Sequence, residues 1–198
     1  MTRPDTVTAK HTGVEFTPHP EGMFAMTCVD CINLGDRLKS FKGTNPYLAS
    51  TVMLVFQSGE VNEAGRPHEV SKEFTVSMGK KANLRAFLGS WRGKSYTDEQ
   101  AREGVELHKL VGRSALVSVE HKTSPTSGRT YANIASISPL PKEMSAPSLP
   151  AYERPAFFAE RIAKYAAEAE AFRKASAPST SFDEVPAGLD EGDDTLPW

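Results

Sequence analysis

Hydrophobic and polar positions change period along the chain, and each change marks an element. Between 22 and 34 the run Met23-Phe24-Ala25-Met26-Thr27-Cys28-Val29-Asp30-Cys31-Ile32 is apolar and β-prone, and it stops at the turn pair Gly35-Asp36. It predicts a first strand. A second apolar run, 48–56, predicts another, and 69–78 then alternates cleanly: Val70, Lys72, Phe74, Val76 and Met78 share one face, Ser71, Glu73, Thr75 and Ser77 the other. These two strands, joined by the turn-rich stretch 60–67, are expected to pair as an antiparallel hairpin. After Gly79 the period becomes helical, with Leu84, Phe87, Leu88 and Trp91 at i, i+3, i+4 and i+7 and with Lys81 and Arg85 elsewhere on the wheel. Thr97-Asp98-Glu99-Gln100 has the spacing of a capping box and opens a second, short helix that ends near Gly104. Strands are expected again at 115–121 and 130–138, either side of the hairpin loop Ser124-Pro125-Thr126-Ser127-Gly128.

Three strands, a helix and two strands make the order of an OB-fold, so the expected class is mainly β: a five-stranded Greek-key barrel with its helix between strands three and four. The barrel is assigned to 21–142, after a polar arm at 1–20. Loops 37–47 and 122–129 would flank a concave face. A proline-rich linker follows at 143–155, then a helix at 156–175 whose stripe Phe158, Ile162, Tyr165, Ala169 and Phe172 is supported by Glu160/Lys164 and Glu170/Lys174 pairs. A helix of this length needs its stripe buried. Docking on the barrel is the expected solution; docking on another copy, giving a homo-oligomer, is the alternative.

The formal net charge of −2 conceals an asymmetry: residues 176–198 hold six of the 25 acids and none of the 23 cations, which leaves 1–175 at +4. This proline-containing acidic tail is expected to be disordered, while a mildly basic body suits a polyanion. No apolar run is long enough for a membrane span and no signal-peptide pattern opens the chain, so a cytoplasmic location is expected. Cys28 and Cys31 form a lone Cys-x-x-Cys. On a regular strand residues three apart face opposite sides, so neither a bridge nor a metal site is expected. His11, His19, His68, His108 and His121 are scattered, and no nucleophile, phosphate loop or carboxylate cluster stands out, so neither an enzyme nor a cofactor is expected. Binding of single-stranded nucleic acid needs only cations along a groove and rings for bases to stack on. The candidate cations are Lys39, Lys42, Lys72, Lys80, Lys81, Arg85, Arg92, Lys94, Lys122 and Arg129, and the candidate rings are Phe41, Tyr47 and Tyr131. A protein-interaction scaffold and a strand-annealing protein are the alternatives.

Two segments, Lys80-Lys81-Ala82-Asn83-Leu84-Arg85 with Ser90-Trp91-Arg92-Gly93, and Tyr131-Ala132-Asn133-Ile134-Ala135-Ser136-Ile137-Ser138-Pro139-Leu140-Pro141, resemble phage-encoded single-stranded DNA-binding proteins with an OB-fold core. The ending Asp193-Asp194-Thr195-Leu196-Pro197-Trp198 looks like the acidic tip of bacterial single-stranded DNA-binding proteins, with Leu and Trp where that tip usually has Ile and Phe. The resemblance implies sequence-independent coating of strands during replication, recombination or repair. It also implies recruitment of replication and recombination proteins by Asp193, Asp194, Leu196, Pro197 and Trp198.

Overall fold

The computed structural model describes residues 17–40, 45–63, 65–125 and 127–176. Five strands, β1 (Gly22–Lys39), β2 (Tyr47–Val61), β3 (Pro67–Thr75), β4 (Ser114–Thr123) and β5 (Thr130–Pro139), form one antiparallel sheet in the order β3-β2-β1-β4-β5. Helix α1 (Asn83–Trp91) and the short α2 (Asp98–Glu103) lie between β3 and β4, followed by a 3₁₀ turn, Leu107–Leu110; α3 (Phe157–Ser176) ends the described chain. The expected hairpins, β2–β3 and β4–β5, are both formed. Thr97 and Gln100 make the capping box reciprocally, side chain to backbone in both directions. The sequence reading places no element at the 3₁₀ turn, whose Leu107 and Leu110, three apart, both pack against the inner core.

β1 departs most from its reading. It runs on through Gly35-Asp36 because the register shifts there, Leu34 bulging out while Gly35 takes a φ of 77°. An earlier bulge at Val29 corrects the cysteine reading. Cys28 faces Phe56 and Cys31 faces Leu54, so the inserted residue brings both thiols to one side of the sheet instead of opposite sides. Both are free; burial pushes the Cys28 thiol up to about 12 and raises that of Cys31, so neither is a reactive thiolate.

The curled sheet has two apolar faces. On the inner one Met26, Leu54, Phe56, Val70, Phe74, Val117 and Ile134 pack against Leu84, Phe87, Leu88 and Trp91, the stripe expected of α1. Its rings meet edge-on or tilted, Phe74–Phe87 at 4.7 Å and Phe56–Trp91 at 5.2 Å between centroids. Trp91 Nε1 donates to the Ser114 carbonyl at 3.2 Å, which fixes the helix to the start of β4. Gly93 then turns the chain away at a φ of 71°. A Cβ there would sit 2.9 Å from Pro139 Cγ, so both conformation and space demand glycine.

The outer face of β1 and β2 is covered by α3. Ile32, Leu34, Met53 and Val55 meet Phe158 and Tyr165, with Val29, Tyr152 and Ile162 at the margin. The helix therefore docks in cis, as the stripe favoured. Lys174 pairs with Glu170 at 2.6 Å as expected, but Lys164 turns to Glu168 instead of Glu160. Around the apolar contact, arginines meet carboxylates. Arg154 grips Asp30 with two bonds of 2.7 and 2.8 Å, Arg161 and Arg37 share Glu73, and Arg173 pairs with Asp36.

Residues 17–20, the end of the expected polar arm, hold a buried histidine. His19 Nδ1 faces the Pro20 carbonyl at 2.8 Å and must donate; in the neutral ring Nε2 then accepts from the Ser58 hydroxyl at 2.9 Å. His121 Nε2 donates to the His19 carbonyl, and the His68 ring lies 5.3 Å from that of His19. Burial, with His68 and His121 nearby, holds His19 below the ordinary 6.5.

Two outcomes are expected. Phe158→Ala should cost about 3 kcal/mol, read as faster amide exchange across 157–176 while β2 keeps its protection. For His19, the unfolded chain binds a proton that the folded site resists. Stability should therefore be full above the ordinary value of 6.5 and fall as pH drops through the lowered one. Melting temperature between roughly pH 7.5 and 5 measures this, and His19→Gln should flatten the profile.

Candidate nucleic-acid interface

The face on which OB-folds bind strands is that of strands two and three, between the loops after strands one and four. In this chain the outer face of β2 and β3 is unsuited to a polyanion. It carries Glu69 and Glu73, lies beside Asp30 and Asp36 of β1, and is occupied by α3. The two expected loops also lie at opposite ends of β1. Lys39 closes it and faces Tyr47, while the β4–β5 hairpin overhangs its start, since Gly22 pairs with Val119 and the ladder continues to Thr123–Thr130.

The cations collect elsewhere, along α1 and the gap that it spans. β3 and β5 are the two edges of the sheet, and no ladder joins them among the described residues. They approach closely enough for Lys72 Nζ on β3 to donate to the Ile134 carbonyl on β5 at 2.6 Å. Two adjoining hollows flank α1 and share Ala86 and Ser90. One, about 680 Å³, is lined by Lys80, Arg85, Lys94, Tyr96 and Asp98; the other, about 410 Å³, lies at the β3–β5 gap, lined by Lys72, Glu73, Phe74, Asn83, Phe87 and Ser136. Together they form a trough with lysines at both ends.

The candidate cations divide by what holds them. Arg85 donates to the carbonyls of Met78 and Tyr96 and to Asp98 at 2.9 Å, with most of its side chain buried. Arg92 donates to the carbonyls of Lys94 and Ser95 and lies 4.0 Å above the Tyr96 ring. Both tie the α1–α2 corner together. Lys39 donates to Thr75 Oγ1 at 2.6 Å. Lys80 pairs with Asp98 and Lys122 with Glu120, each at 2.9 Å, on the surface. Lys81, Lys94 and Arg129 are exposed and make no ion pair among the described residues. Of the rings, Tyr47 and Tyr131 are both exposed; Tyr131 stands opposite Lys122 on the overhanging hairpin. Phe41, Lys42 and the terminal residues Asp193, Asp194, Leu196, Pro197 and Trp198 lie outside the described residues.

Lys72 is partly buried. Burial lowers its pKa, and the Lys122 charge adds to the effect. A polar chain runs from it across β5: Asn133 Nδ2 donates to the Ile134 carbonyl and to Glu120, which accepts from Lys122. Glu120 is held below the ordinary carboxylate value by Lys122 and Asn133. Sequence reasoning did not single out the wall residues Asn83, Ala86, Ser90 and Ser136 as site residues, although Asn83, Ser90 and Ser136 lie within the two segments that carry the resemblance. They also fall outside the apolar stripes of α1 and β5.

No group of His, Cys, Asp and Glu among the described residues is placed to hold a metal, and no described helix is long and apolar enough to cross a membrane.

Removing a structural cation and a surface one should separate the two classes. Arg85→Ala leaves two carbonyls without their donor and should cost about 2 kcal/mol, read as a lower melting temperature. Lys94→Ala should leave melting unchanged within about 0.5 kcal/mol. Equal melting of the two variants would contradict this division.

No family model, curated protein or solved structure matches the chain.

Proposed function

We propose that the protein binds single-stranded DNA without reading its sequence, along the trough over α1 and onward to the β4–β5 hairpin. The observation that carries this reading is the trough itself: Lys80, paired only at the surface, Lys94 and the partly buried Lys72 border a floor of small and apolar side chains, and Lys122 lies beyond it on the hairpin. A flexible chain of phosphates and bases has that alternation of charge and flat apolar surface. Tyr131, exposed beside Lys122, offers a ring at the exit. A duplex keeps its bases stacked inside the helix and has no free base face to lay on such a floor.

The strand order with a helix between β3 and β4 supports an OB-type scaffold whose last seam, between β3 and β5, is left open. The ligand path then differs from the face such barrels ordinarily use, because α3 occupies that face. The terminal peptide, acidic with an apolar end, is read from sequence as the element that recruits replication and recombination proteins. Docking of α3 in cis counts against the scaffold alternative, in which that stripe assembles copies.

Titration with oligothymidylate should show affinity falling with salt, by about 0.7 logarithmic units per phosphate contact for each tenfold rise. Lys94→Ala should weaken binding and lower that slope by about one contact. Affinity that ignores salt, or that is no greater for the single strand than for duplex DNA, would remove this reading.

A further inference from the structure

We propose that the hollow at the β3–β5 gap takes one unstacked nucleobase of the bound strand; this rests on the strand-binding reading above and gives it a specific contact. The hollow holds about 410 Å³, within the range of roughly 300–1,000 Å³ typical of small-ligand sites. Its floor is aromatic and aliphatic: Phe74, Phe87 and Ile137 are buried there. A base ring laid on that floor replaces water over an apolar surface. Its rim is polar, with Asn83 and Ser90 from α1, Ser136 from β5 and Glu73 from β3, whose carboxylate is taken up by Arg37 and Arg161, so heteroatoms on a base edge meet both donors and acceptors.

The backbone adds a second, independent feature. The β4–β5 register passes from Val119 opposite Ile134 to Ser118 opposite Ser136, leaving Ala135 as a bulged residue at the hollow's wall. Bulges interrupt the ladder and re-aim its groups. Ala135 belongs to an edge strand, so peptide groups facing β3 have no strand partner there. The Lys72 ammonium closes the remaining side, donating to the Ile134 carbonyl at 2.6 Å and lying 6.0 Å from the Phe87 ring centre. It stands where a base's own phosphate would pass, and the lysine-bordered hollow adjoining through Ala86 and Ser90 continues the backbone path. A flat heterocycle on a phosphate chain matches this combination, because an aliphatic ligand would leave the polar rim unpaired and an inorganic anion would leave the aromatic floor unused.

The unaltered protein, Asn83→Leu and Ser136→Leu are titrated with oligothymidylate and with an abasic deoxyribose-phosphate oligomer of the same length. Both residues are exposed and line this hollow without lining the adjoining one, so filling it from either wall should leave melting unchanged. The variants should lose about tenfold in affinity for oligothymidylate and none for the abasic chain. Equal losses on both oligomers, or no loss on either, overturn the base site. A wild-type protein that holds both oligomers equally overturns the base site but leaves strand binding standing; one that holds neither removes both. Should a variant melt early, the unaltered protein decides: an oligothymidylate carrying 4-thiothymidine should photocrosslink to peptides containing 83–91 and 134–137. Adducts confined to other segments overturn the site.

Discussion

An open sheet that curls until its edges nearly meet has one outstanding problem, the unpaired peptide groups of β3 and β5. Closing the ladder would satisfy them but leave no room between the strands. The chain instead lays α1 across the gap, with Phe87 against Phe74 and Trp91 hydrogen-bonded to β4, and lets a single ammonium, Lys72, bridge to β5. The curl follows from bulges at Val29 and Leu34 in β1, which bend the strand shared by both halves of the sheet. Much of the rest depends on this gap. It fixes where α1 sits, leaves a hollow beside it, and places a partly desolvated cation at the hollow's edge.

The outer face has the opposite character. Asp30, Asp36 and Glu73 would repel a polyanion there, and with Ile32, Met53 and Val55 they make a surface that fits an apolar helix flanked by arginines. That helix is supplied by the same chain. The linker also joins in: Pro147 passes close to Gly59, and Tyr152 and Arg154 pack beside Asp30. Charge therefore sorts the two faces before any ligand arrives.

Much of the fold was legible because its signals are local. The alternation at 69–78 and the stripe Leu84, Phe87, Leu88, Trp91 report burial directly, and the capping box at Thr97 reports a helix start. The stripe of α3 was equally plain. What could not be read was anything set by register or by long-range partners. One inserted residue at Val29 reversed the facing of Cys31 relative to Cys28, and no composition signal announces a bulge. His19 looked like part of a polar arm, yet Ser58 and His121, far along the chain, bury and bind it. The candidate cations were recognisable as cations, but not which of them the fold consumes. Arg85 and Lys81 differ by four positions on one helix approach; only the carbonyls of Met78 and Tyr96 decide that the first is internal.

That division has a chemical basis. The groups that clamp this fold are arginines: Arg37, Arg85, Arg92, Arg154, Arg161 and Arg173 each engage a carboxylate, a carbonyl or a ring. A planar fork satisfies several acceptors at once and is more weakly hydrated, so it tolerates partial burial. The trough is bordered mainly by lysines, whose compact, strongly hydrated charge on a flexible stem suits a phosphate whose position is not fixed. Lys72 is the exception that joins the two roles, since it bridges the sheet's edges and faces the hollow. A ligand phosphate near it would offset the repulsion from Lys122 and restore part of the charge stabilisation lost on burial. On the proposed strand-binding reading, a lysine whose charge is disfavoured by burial and by Lys122 would gain from a polyanion laid beside it.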